Sequence, residues 1–163
     1  METNKRLWVF SNAAFNKFMK DNGWNDNNIP EKSAFISICT PNWEDDLEYH
    51  WFKNNNEHVI NLDFDDIDDY HIEGCDAYGL TNEQAKQLFK FIDNNIGNDF
   101  YIHCSAGVSR SQGVARFIMD YYYDVYTVKN TRKDNPCLLP NLHVVKLLRR
   151  EWLSKYYGNN VEF

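Results

Sequence analysis

The residues best suited to chemistry lie in one short stretch: His103, Cys104, Ser105, Ala106, Gly107, Val108, Ser109, Arg110 and Ser111. A loop that enters a helix N-terminus directs several backbone N–H groups into one concavity, which binds an anion such as phosphate. A thiol at the base of this cradle is stabilised as a thiolate, the nucleophilic form of cysteine. The stretch therefore predicts a phosphate-binding loop that contains its own nucleophile.

Each part of this loop has an expected role. Cys104 is the candidate nucleophile, and Ser111 is expected to donate a hydrogen bond to the sulfur when it leaves. We expect His103 to orient the loop through its ring nitrogens and not to attack. Gly107 permits backbone angles that other residues resist. The predicted phosphate-binding groups are the backbone of Ser105, Ala106, Gly107, Val108 and Ser109, together with the planar fork of Arg110.

The stretch closely resembles the signature loop of the cysteine-based protein tyrosine phosphatases. The resemblance is greatest to the dual-specificity branch, where His-Cys-x-x-Gly-x-Ser-Arg-Ser is typical, and extends to small bacterial and phage-type tyrosine phosphatases. The order of strands and helices around the loop is similar too. The likeness covers most of the chain and is loosest towards the N-terminus.

The resemblance implies hydrolysis of phosphate monoesters through a phosphocysteine intermediate on Cys104. In such a mechanism the loop amides and Arg110 stabilise the charge, so we expect neither a metal nor another cofactor. The variable loop residues are small and uncharged, whereas family members that act on inositol lipids often carry Lys there. The expected partner is therefore a phosphoprotein substrate. Phosphotyrosine is favoured, and dual specificity for phosphoserine or phosphothreonine stays open.

Members of this family protonate the leaving group with an Asp from a loop upstream of the cysteine. The candidates follow the predicted strand 58–64 and are Asp63, Asp65, Asp66, Asp68 and Asp69. The family's pattern places the acid just after the strand, which makes Asp66 the favoured candidate and Asp65 the alternative. Asp63 falls inside the strand pattern and is expected to be structural.

Two other classes of function stay open. One is an inactive, phosphatase-like module that binds phosphoproteins without turnover, although the intact Cys104, Arg110 and Ser111 argue against it. The other is a sulfur-transfer or arsenate-reducing enzyme built on a similar loop. Such enzymes usually need a different loop length or a partner cysteine nearby, and no cysteine is adjacent in this sequence.

The remaining cysteines are Cys39, Cys75 and Cys137. Their wide spacing predicts neither a disulfide framework nor a zinc site. A low-pKa thiolate oxidises readily, so one of these residues is a candidate partner for a protective disulfide with Cys104. Cys39, at the end of a predicted strand, is the least arbitrary choice, although an ordinary buried or surface cysteine is the simpler interpretation.

Hydrophobic periodicity places the loop between a strand and a helix. The predicted strands are 7–10, 34–39, 58–64 and 100–103, and the predicted helices are 11–20, 81–96, 110–123 and 141–157. This alternation favours a three-layer α/β fold with a central, mostly parallel sheet flanked by helices. Ligands of such sheets bind beyond the carboxyl ends of the strands, where the stretch 103–111 begins.

Length and charge restrict location and partners. The 163 residues suit a single domain that spans 1–163. The formal net charge of -7 argues against general affinity for nucleic acid or anionic membranes. No apolar run approaches the roughly 20 residues of a membrane span, and the run Leu7–Phe10 is too short for a signal peptide. We therefore expect a cytoplasmic monomer.

Overall fold

The structure is a computed structural model that describes residues 5–41, 49–130 and 139–158, and only the backbone of 127–130. Strands and helices alternate along the chain. The strands are β1 (Lys5–Ser11), β2 (Ser33–Cys39), β3 (Val59–Asp63), β4 (Asp99–Cys104) and β5 (Tyr126–Asn130). The helices are α1 (Asn12–Asn22), α2 (Asn82–Asn94), α3 (Arg110–Tyr121) and α4 (Leu142–Tyr157).

The strands form one sheet in the order β3-β2-β4-β1-β5. Every strand pairing among the described residues is parallel, which confirms the predicted sheet. β4 lies at the centre of the sheet, where Ser37 of β2 and Phe10 of β1 flank its residue His103. The sequence analysis did not predict β5. This short strand lies at the edge of the sheet, and its last two residues are Lys129 and Asn130.

Helices cover both faces of the sheet, so the predicted three-layer α/β fold is confirmed. Successive residues of β4 point to opposite faces, as strand geometry requires. Phe100, Ile102 and Cys104 join the large apolar core on the side of α2, α3 and α4. On the other side, Tyr101 belongs to an aromatic cluster beneath α1, and His103 stacks on Phe15 of that helix.

α1 and α2 begin directly after the capping residues that the sequence predicts, Ser11 and Thr81. The Ser11 side chain accepts from the backbone of Ala14, and α1 ends at Gly23 in the left-handed conformation. Thr81 and Gln84 form a capping box at the start of α2. α2 ends at Asn94 and α3 at Tyr121, slightly before their predicted ends. Among the described helices, none combines the length and apolar character needed to cross a bilayer.

Candidate active site

The predicted loop runs from the carboxyl end of β4 to the first turn of α3 and lies against the end of β1. Gly107 adopts a φ of 70° there. A Cβ on this residue would lie 2.6 Å from the backbone nitrogen of Ser11 and 2.7 Å from the carbonyl carbon of Phe10. The backbone N–H of Asn12 also donates to the carbonyl of Ser105 at 3.0 Å. Only glycine satisfies both the backbone angle and the close approach.

Cys104 lies at the base of this loop and is 2% exposed. The backbone N–H of Gly107 donates to its sulfur at 3.3 Å. The hydroxyl of Ser111 lies 3.0 Å from the same sulfur, so the structure brings this predicted pair together. A backbone N–H, a hydroxyl group and the first turn of α3 therefore lie around the sulfur atom.

Arg110 is 5% exposed, and its side chain reaches the segments that follow β2 and β3. Its Nη1 donates to the carbonyl of Phe64 at 2.7 Å and to the hydroxyl of Thr40 at 3.1 Å. Its Nη2 donates to the Ser105 hydroxyl at 2.7 Å. The buried Nε–H has no acceptor among the described residues. An unsatisfied buried donor on a cation is costly, and a phosphate oxygen is the type of acceptor that suits it.

The two candidate acids have different surroundings. Asp65 is buried, and its Oδ2 accepts from the backbone N–H of Tyr78 at 2.7 Å, so this carboxylate ties down its own loop. Asp66 is exposed at the rim of the phosphate-binding loop. Its Oδ1 accepts from the Ser109 hydroxyl at 2.6 Å and from the Asn141 amide at 2.8 Å. The structure thus brings Asp66, and not the side chain of Asp65, to the loop.

A cavity of about 570 Å³ opens beside Asp66 and Ser109. The remaining residues that line it are Ile67, Asp68, Asp69 and Ile72. The other acidic candidate, Asp63, ends β3 and contacts Nε2 of His50 at 2.8 Å. The Asp63 carboxylate therefore contacts the segment that precedes β3.

His103 is fully buried, and its ring stacks on that of Phe15 with a centroid distance of 4.3 Å. Burial lowers the pKa of His103 to about 3, so the imidazole is neutral. Its Nε2 lies 2.7 Å from the hydroxyl of Ser37. The ring is therefore fixed from two sides and faces away from Cys104 across the sheet, which suits orientation of the loop and excludes direct attack by this ring.

Several contacts of the loop were not predicted. Thr40 and the carbonyl of Phe64 hold Arg110, as described above, and the Gln112 amide donates to the carbonyl of Gly107 at 3.1 Å. Asn141 caps α4 through its Oδ1 while its amide nitrogen reaches Asp66. The capping role of Asn141 has a sequence signal, whereas its contact with the acid depends on how α4 packs.

The positions of the cysteines do not favour the candidate disulfide between Cys39 and Cys104. Because Ser37 is the register partner of His103, strand alternation places Cys39 on the face of His103 and Cys104 on the opposite face. Side chains that point apart cannot form a disulfide without backbone movement. Cys75 is exposed, and no disulfide links these three cysteines. Cys137 lies outside the described residues.

Comparisons with known proteins do not assign the chain to a family. No protein-family model matches it, and neither the curated proteins nor the solved structures contain a significant match. The interpretation of the site therefore depends on its own residues and their geometry.

Proposed function

We propose that this chain is a cysteine-dependent phosphatase that hydrolyses phosphate monoesters on proteins, with phosphotyrosine as the favoured substrate. One observation carries the proposal: the Cys104 sulfur accepts from the Gly107 N–H and lies beside the Ser111 hydroxyl, at the base of a loop whose arginine has a buried Nε–H without an acceptor among the described residues. A nucleophile and a cationic donor that face one concavity are the parts that phosphoryl transfer to cysteine requires.

In the first proposed step, the loop amides and Arg110 hold the phosphoryl group in line with the sulfur. The Cys104 thiolate attacks phosphorus, a P–S bond forms, and the P–O bond to the leaving group breaks. Asp66 donates its proton to the leaving oxygen. Its exposed position at the rim, next to Ser109, suits contact with a leaving group that points out of the loop.

In the second step, Asp66 accepts a proton from a water molecule that attacks phosphorus. The P–S bond breaks, and the electron pair returns to the Cys104 sulfur. The Ser111 hydroxyl, 3.0 Å from that sulfur, stabilises the departing thiolate by hydrogen bonding. Inorganic phosphate leaves, and the enzyme returns to its starting state.

The preference for phosphotyrosine is supported by the cavity beside the loop. Ile67 and Ile72 give it apolar wall area that can pack against an aromatic ring, next to the hydroxyl of Ser109. We further propose that the enzyme acts as a monomer in the cytoplasm. A cysteine nucleophile such as the one proposed at Cys104 stays reduced, and therefore active, in a reducing compartment.

The test is hydrolysis of 4-nitrophenyl phosphate and of a phosphotyrosine peptide, in the presence of EDTA. The wild type is expected to turn over both, and Cys104→Ser to fall to the background rate because an alcohol at this position is not ionised. Cys75→Ser is the matched control, since Cys75 is an exposed thiol, and it should keep full activity. A phosphocysteine adduct trapped on the Cys104 peptide would identify the intermediate directly.

Two results would contradict the proposal. Tight binding of the phosphopeptide by wild-type protein without turnover would favour the binding module. Reduction of arsenate, or sulfur transfer from thiosulfate, without phosphatase activity would favour the other enzyme class.

A further inference from the structure

The ends of β2 and β3 carry side chains of types that bind transition metals. Cys39 is the last residue of β2, Asp63 is the last residue of β3, and the two are register partners in the sheet. His50, from the segment before β3, lies beside both of them. Its Nε2 is 2.8 Å from the Asp63 carboxylate, and its Nδ1 is 3.4 Å from the Cys39 sulfur. The proposed phosphatase mechanism gives no role to any of the three.

The three side chains lie close enough to share one ion. Each offers a ligand atom, and these atoms all lie within 4.8 Å of one another. Around a tetrahedral zinc ion, with bonds of about 2.0–2.3 Å, ligand atoms lie about 3.3–3.6 Å apart. A small adjustment therefore suffices, and Asp63 can supply most of it because its side chain is 59% exposed. His50 gives up one present contact, to Ser37 or to Asp63, and its other ring nitrogen keeps a partner, as is usual for metal-bound histidine.

The donor types favour Zn²⁺ among the common divalent ions. Sulfur, nitrogen and oxygen donors together suit zinc, whereas Mg²⁺ and Ca²⁺ prefer oxygen donors alone. Three protein ligands leave the fourth position to water. When the metal–sulfur bond forms, the Cys39 thiol loses its proton to solvent. The resulting thiolate and the Asp63 carboxylate then balance the two charges of the ion.

The residues that follow Cys39 and Asp63 hold Arg110. Thr40 comes directly after Cys39, and Phe64 comes directly after Asp63. Nη1 of Arg110 donates to the Thr40 hydroxyl at 3.1 Å and to the Phe64 carbonyl at 2.7 Å. The backbone N–H of Phe64 also donates to the carbonyl of Cys39 at 3.2 Å. An ion bound to Cys39 and Asp63 would therefore fix the two strand ends from which these Arg110 contacts come.

We propose that Cys39, His50 and Asp63 form a Zn²⁺ site that clamps the ends of β2 and β3 beside the phosphate-binding loop. The site is separate from the candidate nucleophile, because strand alternation places Cys39 and Cys104 on opposite faces of the sheet. Zinc binding requires no phosphatase activity, so its test is independent of the proposed function. The spacing of the residues in the sequence did not predict this group, which arises from the register of β2 on β3.

The experiment measures Zn²⁺ binding to the full chain in the reduced state. Other thiolates also bind zinc, so the background carries Cys75→Ser, Cys104→Ser and Cys137→Ser, which leaves Cys39 as the only cysteine. Competition with a chromogenic chelator is expected to show one Zn²⁺ per chain. Co²⁺ in place of Zn²⁺ should give the ultraviolet charge-transfer absorption of a cobalt–thiolate bond. Mg²⁺ should not compete with either ion.

In this background Cys39→Ala, His50→Gln and Asp63→Asn are each expected to raise the Kd for Zn²⁺ at least about a hundredfold, since loss of even an outer partner of a metal ligand costs about 10–100-fold. His58→Gln is the matched control and should bind as the background does. His58 also lies beside a carboxylate, 3.4 Å from that of Glu57, but does not belong to the group of three. Zn²⁺ at about a hundredfold excess over Kd should raise the melting temperature by about 5–10 °C, and the variants that lose binding should lose this rise.

Two results would overturn the inference. One is the absence of stoichiometric Zn²⁺ binding by the background protein. The other is a Kd that stays the same in His50→Gln and Asp63→Asn, because the metal would then lie elsewhere. Asp63→Asn changes an exposed side chain, so it keeps the test decisive if Cys39→Ala does not fold. If the wild type hydrolyses nothing, the zinc titration still decides the point, so failure of the site and failure of the proposed function are distinguishable.

Discussion

Asp65 and Asp66 are neighbours in the chain with opposite environments. The backbone N–H and the carboxylate of Asp65 are both bound to the backbone of Tyr78 at 2.7 Å. Asp66 instead points to the loop, where Ser109 and Asn141 donate to one of its oxygens. A general acid must reach the atom that receives its proton. In the proposed mechanism this requirement favours Asp66 as the acid, while the contacts of Asp65 hold its own loop.

Asp66→Asn is expected to lower kcat by about a hundredfold, the ordinary contribution of a general acid. The loss should be greatest for phosphopeptides and smaller for 4-nitrophenyl phosphate, because nitrophenolate leaves without a proton. Steady-state kinetics on both substrates check this difference. Asp68→Asn, an exposed neighbour in the same cavity, is the control and should change little. A larger kcat loss in Asp65→Asn would make Asp65 the acid.

The residues of the candidate site were predictable where they are local in sequence. Cys104, Gly107 and Arg110 lie in one loop, and the chemistry of an anion site requires their types and spacing. The choice between the two acids was left open because it depends on which carboxylate the Tyr78 backbone engages. The contacts of Thr40 and Asn141 were not predictable, because they arise when distant segments pack together.

The carboxylate of Asp93 joins three helices on the same face of the sheet. Asp93, in the last turn of α2, accepts from the Tyr122 hydroxyl after α3 at 2.9 Å and from the Tyr156 hydroxyl of α4 at 2.8 Å. It also pairs with Lys155. Burial alone would raise the pKa of Asp93, but the hydrogen bonds from Lys155, Tyr156 and Tyr122 outweigh it and lower the pKa. The contact therefore depends on an ionised Asp93.

Asp93→Asn is expected to lower the melting temperature at neutral pH by about 2–4 °C, for a loss of about 1 kcal/mol from a pair that solvent partly screens. Because the pKa is lowered on folding, this stability is present above the unfolded value of 3.8 and is lost as the pH falls through the folded value. Thermal melts of both proteins should therefore converge in acid. Asp120→Asn, in an exposed pair with Arg116, is the control. A difference that persists in strong acid would contradict this account.

Helices with clear capping residues and strands with continuous buried runs were predicted well. α1 and α2 carry capping residues at their starts, and β2 and β4 are continuous buried runs of β-forming residues. β5 is different because it is short and lies at the edge of the sheet beside β1. An edge strand depends on its single neighbour for hydrogen bonds, and that neighbour lies far away in sequence.

At the scale of the whole molecule, the acidic charge is concentrated near the candidate site. Segment 65–82 contains no Lys or Arg. Its acidic residues are Asp65, Asp66, Asp68, Asp69, Glu73 and Asp76. Two of them, Asp68 and Asp69, line the cavity beside the loop. The surface that borders this loop therefore attracts positive charge and repels negative charge.

Phosphotyrosine peptides with Lys or Arg beside the phosphorylated residue are expected to react faster than peptides with Asp or Glu there. We expect kcat/KM to differ by about tenfold at low ionic strength, an ordinary size for electrostatic steering. The difference should narrow as added salt screens the exposed charges. Matched peptides that differ only in these flanking residues, assayed over a salt series, provide the measurement. Equal kcat/KM values at low salt would contradict the prediction.

The order of strands has a consequence for biosynthesis. Among the strands of this sheet, β1 is the first to be translated, yet it lies between β4 and β5. Its contact from Arg6 to Asp99 joins residues 93 positions apart. The central pairing must therefore wait until most of the chain has been translated, with the apolar side chains of β1 and α1 still unburied. A sheet closed by such distant partners folds slowly, and the segment that contains β1 and α1 is the part of this sheet that most needs protection from aggregation during synthesis.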